Sequence, residues 1–188
     1  NQPNGFNINE NCGSEHVEWL IQKFKATQAW LGFAHDGDGD RLIVIDEEGN
    51  RVDGDALLGL LAIDLHKQKL LKNSKIVVTE QSNSGLKESL SAYGIQTIDC
   101  GIGDREVFYT LEREQSNFGG ESSGHIILRD EAPTGDGLRV LLQILTLAKQ
   151  NPICERKKVI KLLPKCEDSI QVTQKIPLEN LYQLQSTQ

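Results

Sequence analysis

The segment His35-Asp36-Gly37-Asp38-Gly39-Asp40-Arg41 carries three carboxylates separated by glycines and closed by an arginine. Glycine reaches backbone conformations that other residues avoid, so this segment can curl and direct its carboxylates at one point. Converging anions repel each other unless a cation lies among them. Because only oxygen ligands are offered, a hard cation such as Mg²⁺ is expected, and Arg41 beside it could hold a phosphate. The segment therefore predicts metal-assisted handling of a phosphorylated substrate.

Strand and helix patterns alternate along the chain on both sides of this segment. Short apolar runs predict strands at residues 30–34, 42–45, 76–79, 95–100, 118–121, 125–128 and 169–173, of which those at 30–34 and 76–79 are expected to be buried. Glu48-Gly49-Asn50 predicts a hairpin turn. Helical periodicity predicts helices at residues 15–29, from Asp55 for about fifteen residues, and at residues 86–93, 103–114 and 137–147. This alternation predicts an α/β fold, with mixed or parallel sheets flanked by helices.

Polar residues at the element ends predict caps and loops. Ser14, Asp53, Asp55 and Asp136 each lie at the start of a helical pattern, and we expect them to act as caps. The loops at residues 82–85 and 101–105 join strands to helices. In open α/β sheets such loops line ligand clefts, although helix capping by Ser82 or Asp104 is the favoured interpretation.

A calcium-binding EF-hand is an alternative for the acidic segment, since Asp36, Asp38, Asp40 and Glu47 fit its ligand spacing. Arg41 occupies the position where that loop needs glycine. The flanking patterns are strands, whereas an EF-hand requires helices on both sides. An acidic turn without metal is the other alternative. The cost of clustering carboxylates argues against it.

A second polar segment is Gly119-Gly120-Glu121-Ser122-Ser123-Gly124-His125. Glu and Ser side chains on a glycine-flanked loop can hydrogen-bond neighbouring hydroxyls, which suits a sugar. His125 could hold a phosphate or transfer a proton. The alternative is a tight hairpin whose polar side chains are merely exposed.

Composition excludes several classes of protein. The 188 residues carry a net charge of −7, and aromatics make up 5%, so a nucleic-acid partner is not expected. The sequence has no apolar run of membrane-spanning length. The cysteines Cys12, Cys100, Cys154 and Cys166 are widely spaced, and we expect free thiols in a reducing cytoplasm. The chain contains no methionine, so we expect a processed product or a fragment.

The two polar segments together, in this order, resemble the α-D-phosphohexomutases. The segments Val52-Asp53-Gly54-Asp55, Gly103-Asp104-Arg105 and Thr134-Gly135-Asp136-Gly137 support the likeness, which runs over about residues 5–150. The bacterial phosphoglucosamine mutases are the subfamily that fits best. Ser122 departs from them, because they more often carry an amide at that position. Phosphomannomutase, phosphoglucomutase and a non-catalytic phosphosugar-binding module therefore stay open as alternatives.

The resemblance implies a domain layout. Such enzymes have four domains around one cleft. Residues 1–70 would be the C-terminal part of domain 2 with the metal loop, and residues 73–150 would be domain 3 with the sugar loop. Residues 151–188 would be a linker and the start of domain 4. The cytoplasm is the expected location, and a homodimer of the full-length enzyme is a further expectation.

The resemblance also implies the chemistry. The family moves a phosphoryl group between O6 and O1 of a phosphorylated hexose, here glucosamine phosphate, through a phosphoserine and a bisphosphate. This step feeds synthesis of UDP-N-acetylglucosamine and the cell wall. By resemblance, Mg²⁺ lies on Asp36, Asp38 and Asp40, and the substrate-binding residues are Arg41, Glu121, Ser123 and His125. The family's serine loop has no counterpart in this sequence. We therefore assign no catalytic residue and expect the chain alone to be inactive.

Overall fold

A computed structural model describes residues 4–164. Cys166 and the strand predicted at residues 169–173 lie outside the described residues. None of the helices in the described part has the length and apolarity that crossing a bilayer requires.

The N-terminal part forms a helix and a small antiparallel sheet. Its elements are α1 (Glu18–Thr27), β1 (Gly32–Ala34), β2 (Ile43–Ile45) and β3 (Arg51–Val52), with strand order β1-β2-β3. The turn between β2 and β3 is the predicted hairpin turn. Gly49 adopts a φ of +81° there, and Asp46 accepts hydrogen bonds from the amides of Glu48 and Asn50.

The remaining elements build a large mixed sheet between helices. Its strands are β4 (Lys75–Thr79), β5 (Gln96–Cys100), β6 (Phe118–Gly120) and β7 (Ile126–Leu128), in the order β5-β4-β6-β7. Strand β4 runs parallel to β5 and β6, and β6 and β7 form an antiparallel hairpin. The helices are α2 (Gly54–Lys67), α3 (Ser84–Ser91), α4 (Asp104–Arg113), α5 (Gly137–Gln150) and α6 (Ile153–Arg156). The predicted α/β class is confirmed.

Both faces of β4, an inner strand of the large sheet, are buried, which explains its continuous apolar run. Ile76 and Val78 face a cluster that includes side chains of α2, α3 and α5. Val77 points to the opposite face and packs with Val107 and Leu111 of α4. Alternate side chains of a strand point to opposite faces, so a strand covered on both sides needs apolar residues throughout.

Two helix caps predicted from the sequence are wrong. Asp55 does not cap α2; Asp53 does so, and its carboxylate accepts a hydrogen bond from the amide of Ala56 at 3.2 Å. Asp55 is instead 3% exposed and accepts a hydrogen bond from the amide of Asn83. Ser14 is buried, and the residue that precedes α1 is Val17. Both side chains are buried in the folded chain, and a local sequence pattern does not indicate that burial.

One further predicted helix cap is confirmed, whereas other local predictions differ from the structure. The Asp136 carboxylate caps α5 by accepting a hydrogen bond from the amide of Arg139 at 2.9 Å, as predicted. The predicted buried strand at residues 30–34 is shorter and half open, because β1 is an edge strand with Phe33 49% exposed. Neither Ser82 nor Asp104 caps the following helix, where Asn83 and Gly103 occupy the cap positions.

Helix α2 packs on the large sheet and its helices rather than on the small sheet alone. Leu57 and Leu58 are fully buried in the cluster that faces β4. This packing associates α2 with the large sheet, whereas the predicted boundary after residue 70 groups it with the metal loop. The division of the chain into domains stays a prediction.

The segment after α5, residues 153–164, forms hydrogen bonds with both the turn after β2 and the loop before α3. The Glu47 carboxylate, in the turn after β2, accepts hydrogen bonds from the amides of Ile153 and Cys154 at 2.9 and 3.0 Å. Further along, Asn83 Oδ1 accepts from the amide of Leu163 at 2.9 Å, and its Nδ2 donates to the Leu163 carbonyl at 2.7 Å. Residues 153–164 therefore link the small-sheet turn to the helices of the large sheet.

Candidate metal centre

The acidic segment, residues 35–41, forms a loop between β1 and β2 that we call the carboxylate loop. Gly39 adopts a φ of +78°, and its amide donates to the Asp36 carbonyl at 3.3 Å. One carboxylate oxygen each of Asp36, Asp38 and Asp40 lies within 4.8 Å of the others. The curl that the glycines predict is therefore present, and the loop joins strands rather than the helices of an EF-hand.

The carboxylate loop suits a hard cation. Asp40 Oδ1 is buried and has no hydrogen-bond partner among the described residues. Burial raises the pKa of Asp40 above its ordinary value, and the negative charges of Asp36 and Asp38 act in the same direction, while His125 opposes them. A cation among these oxygens would satisfy the buried atom and relieve the repulsion. The donor set is all oxygen, which matches Mg²⁺.

The pKa of Asp36 is shifted in the opposite direction from that of Asp40. Burial opposes its ionisation, but the hydrogen bond from the Arg41 amide and the positive charge of the Arg41 guanidinium act the other way, and the pKa of Asp36 is lowered. The Arg41 amide lies 3.2 Å from Asp36 Oδ1. The contacts on the Arg41 side of the loop therefore favour the charged form of Asp36.

The Arg41 guanidinium folds back over the carboxylate loop. Its Nε lies 3.5 Å from Asp36 Oδ2, and its terminal nitrogen donates to Glu15 Oε1 at 3.0 Å. Glu15 lies 26 residues earlier in the chain, so the sequence pattern does not indicate this partner. The Arg41 side chain is 35% exposed, and a phosphate could therefore compete with Glu15 for it.

Residues 121–125, which we call the polar turn, connect β6 to β7. The Glu121 amide donates to the His125 carbonyl at 2.9 Å, and the Gly124 amide donates to the Glu121 carbonyl at 3.1 Å. Glu121 Oε1 accepts a hydrogen bond of 3.0 Å from the Gly103 amide at the start of α4. Ser123 Oγ is buried without a hydrogen-bond partner in residues 4–164. The predicted hairpin is present, and its side chains are partly buried rather than merely exposed.

The carboxylate loop and the polar turn meet directly. The Leu42 amide donates to the Gly124 carbonyl at 3.1 Å, and Arg41 pairs with His125 as a short antiparallel bridge. His125 Nδ1 donates to Asp40 Oδ2 at 2.9 Å. The two motifs, far apart in sequence, thus lie in direct contact.

A family comparison matches this architecture. Residues 53–165 match the model of the phosphoglucomutase/phosphomannomutase α/β/α domain III. The chain belongs to the α-D-phosphohexomutase family.

Relatives within this family are similar to the chain over nearly all its length. The phosphoglucosamine mutase of Nautilia profundicola is 44% identical over 182 residues, which cover 96% of this chain and 41% of that protein. The enzyme of the same name from Campylobacter concisus is 44% identical over 183 residues, again 96% and 41% of the two chains. The chain therefore spans about 41% of the length of these curated relatives.

Solved structures share the fold. A phosphoglucomutase/phosphomannomutase family protein from Burkholderia thailandensis superposes with a TM-score of 0.70 at 27% identity, over 79% of this chain and 32% of that one. The apo form of an N-acetylglucosamine-phosphate mutase gives a TM-score of 0.62 at 20% identity, over 83% and 40% of the chains. At that identity the second match speaks for the fold alone.

In this phosphohexomutase chain, glycines permit the close contact of the two motifs. A Cβ on Gly124 would lie 2.3 Å from the Leu42 carbonyl oxygen. A Cβ on Gly135 would lie 2.5 Å from the His125 ring. From the sequence, residues 134–137 are predicted to cap a helix and support the family resemblance, but no contact with the polar turn is predicted for them. The glycines beside Asp136 were the available signal that another part of the chain approaches there.

A cleft of about 140 Å³ adjoins the polar turn, and its lining includes Arg105, Tyr109, His125 and Thr134. The loop at residues 101–105 therefore lines a cleft, as one of its two readings predicts. His125 Nε2 is buried and has no hydrogen-bond partner in the part of the chain that the structure describes.

A second group of potential ligands, Glu48, Cys154 and Glu155, is a poorer cation site. Glu155 is ion-paired with Lys158. Desolvation, Glu47 and Glu48 raise the pKa of Cys154, which disfavours the thiolate that would bind a metal.

Proposed function

We propose that this chain is the part of a phosphoglucosamine mutase that binds the cation and the sugar. The whole enzyme would interconvert glucosamine 6-phosphate and glucosamine 1-phosphate. The observation that carries the proposal is the hydrogen bond of 2.9 Å between His125 and Asp40, which joins the two family motifs into one site. The identity of 44% to two phosphoglucosamine mutases supports the choice of substrate.

Asp36, Asp38 and Asp40 would hold Mg²⁺. The bound cation would withdraw negative charge from the transferring phosphoryl group and so lower the barrier to its transfer. Arg41 would leave Glu15 and neutralise a second part of the phosphate charge, which its exposed fraction allows. The exchange of one anionic partner for another keeps the guanidinium paired throughout.

Glu121 and Ser123 would recognise the sugar. The Gly103 amide holds Glu121 Oε1, so the carboxylate is oriented before substrate arrives. Ser123 Oγ is a buried hydroxyl that a sugar hydroxyl could satisfy. His125 would bind substrate through Nε2, the ring nitrogen that Asp40 does not use.

The reaction requires groups beyond this chain. A phosphoserine would give its phosphoryl group to O1 of glucosamine 6-phosphate, and the resulting bisphosphate would return its O6 phosphoryl group to the serine. The serine recovers a phosphate, so the balance is that of an isomerase. We propose that the donor serine lies in another part of the full-length protein, and that the chain alone does not turn over.

The wider expectations are part of the same proposal. The chain would contain segments of domains 2, 3 and 4, divided near residues 70 and 150. The full-length protein would be a cytoplasmic homodimer that supplies amino sugar for the cell wall.

A second candidate is a phosphomannomutase or phosphoglucomutase. Ser122 and the name of the matching family model favour it. The test is a mutase assay of the full-length protein with the phosphates of glucosamine, glucose and mannose at equal concentration. Fastest turnover of glucosamine phosphate supports the first proposal, and fastest turnover of either other sugar supports the second. No turnover with any of the three would leave the non-catalytic binding module.

A further inference from the structure

His125 is held in one orientation from two sides. Its side chain is 3% exposed, and Nδ1 contacts Asp40 Oδ2 at 2.9 Å. On the other side lies Gly135, where even a Cβ would come within 2.5 Å of the ring. Such packing leaves the imidazole little freedom to rotate.

The contact with Asp40 assigns the tautomer of the ring. A carboxylate oxygen accepts, so Nδ1 carries the hydrogen that bridges to Oδ2. The other carboxylate oxygen, Oδ1, is buried, lacks a hydrogen bond within residues 4–164, and lies 4.0 Å from Arg41 Nε. The same Arg41 nitrogen lies 3.5 Å from Asp36 Oδ2. His125 therefore engages one oxygen of Asp40, while the other lies on the side of Asp36.

We infer that His125 is a positioning residue for the cation: by holding Asp40 Oδ2, it fixes Oδ1 among the carboxylates that bind Mg²⁺. This inference rests on the proposed function, because it takes Asp36, Asp38 and Asp40 as the ligands. It gives His125, which sequence reasoning assigns to the substrate, a role toward the cation as well. Outer hydrogen bonds that orient metal ligands are a general feature of metal sites.

A consequence of the contact between His125 and Asp40 is that sugar binding and cation binding are coupled. His125 belongs to the polar turn, and Asp40 belongs to the carboxylate loop. A change in the turn that displaces the ring alters the arrangement of the ligands. By thermodynamic linkage, the free energy by which this conformation of the turn favours cation binding equals the free energy by which the bound cation stabilises that conformation.

Two substitutions distinguish the role of Nδ1 from that of Nε2 in His125. In His125→Asn, the amide nitrogen can lie where Nδ1 lies, so the bond to Asp40 is retained. In His125→Gln, the amide lies farther out, near the position of Nε2. His66→Gln on α2 is the matched control. Mg²⁺ affinity is measured by calorimetry on the 188-residue chain, with circular dichroism to verify folding.

We expect the dissociation constant of His125→Asn to stay within about threefold of the unmodified chain, and that of His125→Gln to rise about 10- to 100-fold. If His125→Gln does not fold, the ring nitrogen resonances of the unmodified chain provide the test: Mg²⁺ should shift those of His125 and leave those of His66 unchanged.

Equal Mg²⁺ affinity of His125→Gln and the unmodified chain, or unshifted His125 resonances on binding, would overturn the inference and leave the metal site in place. No Mg²⁺ binding by the unmodified chain would overturn both the inference and the proposed metal site.

Discussion

The amide of Gly137 donates a hydrogen bond of 2.9 Å to the carbonyl of Gly39. Gly137 is the first residue of α5, and Gly39 lies between Asp38 and Asp40 in the carboxylate loop. Helix α5 packs in the core of the large sheet, so this bond fixes the loop against a rigid element. The N-terminal end of the helix also favours nearby negative charge.

Gly137→Ala should destabilise the chain and weaken Mg²⁺ binding. An added Cβ would lie 2.5 Å from the Arg41 carbonyl oxygen and 2.8 Å from that of Gly39, so the loop must move. We expect a loss of roughly 1–3 kcal/mol in the free energy of unfolding, as for other overpacked sites. Denaturant unfolding measures it. Gly101→Ala is the control, because its Cβ would meet only the flexible Glu106 side chain at 3.3 Å.

The contact between Gly137 and Gly39 cannot be predicted from the sequence, although other features of the loop can. The curl of the carboxylate loop follows from glycine spacing, and the cap at Asp136 follows from a local pattern. The approach of Gly137 to Gly39 depends on how α5 packs over the large sheet. Local patterns contain no information about that packing.

Asn83→Ala should destabilise the chain, because it removes the hydrogen bonds that join Asn83 to the segment of residues 153–164. Its side chain accepts from the amides of Gly85 and Leu163 and donates to the Leu163 carbonyl. Loss of a helix cap alone costs about 1 kcal/mol, and unsatisfied buried groups add roughly 1–3 kcal/mol. Thermal unfolding is the measurement, with the exposed Asn151→Ala as control. Equal midpoints for the two variants would contradict the linking role of residues 153–164.

Thiol labelling should distinguish the described cysteines by rate. Burial raises the pKa of Cys100 to about 11, and Glu106 and Glu121 add to the effect. At pH 8 only roughly one Cys100 thiol in a thousand is then a thiolate, the reactive form. Cys12 is exposed and free. Mass spectrometry of peptides after brief iodoacetamide treatment should find Cys12 modified well before Cys100; the reverse order would contradict the structure.

Glu121→Gln should weaken sugar binding without changing Mg²⁺ affinity. The amide oxygen of glutamine can still accept from Gly103, so the polar turn should keep its shape. Loss of a hydrogen bond to a charged group costs roughly 1.5–3 kcal/mol, about 10- to 100-fold in affinity. Titration with glucosamine 6-phosphate in the presence of Mg²⁺ measures it, and Glu112→Gln on α4 is the control. An unchanged sugar affinity would remove Glu121 from the proposed site.

The contact of His125 with Asp40 is a further feature that sequence alone does not reveal. The two residues are 85 positions apart, and each belongs to a different motif. Resemblance places both motifs in one cleft. It does not indicate that one histidine nitrogen engages a carboxylate of the metal loop, because that geometry arises from the bridge between Arg41 and His125.

The central claim is that the carboxylate loop binds Mg²⁺, and titration of the chain with Mg²⁺ by calorimetry tests it most directly. Asp38 is exposed, so Asp38→Asn should fold normally while losing one ligand charge. Asp64→Asn, near the far end of α2, is the charge-matched control. We predict one Mg²⁺ site in the unmodified chain and in the control, and an affinity lower by about tenfold or more in Asp38→Asn, because ligand charge sets affinity. Equal affinity in all three chains, or no binding by the unmodified chain, would contradict the account.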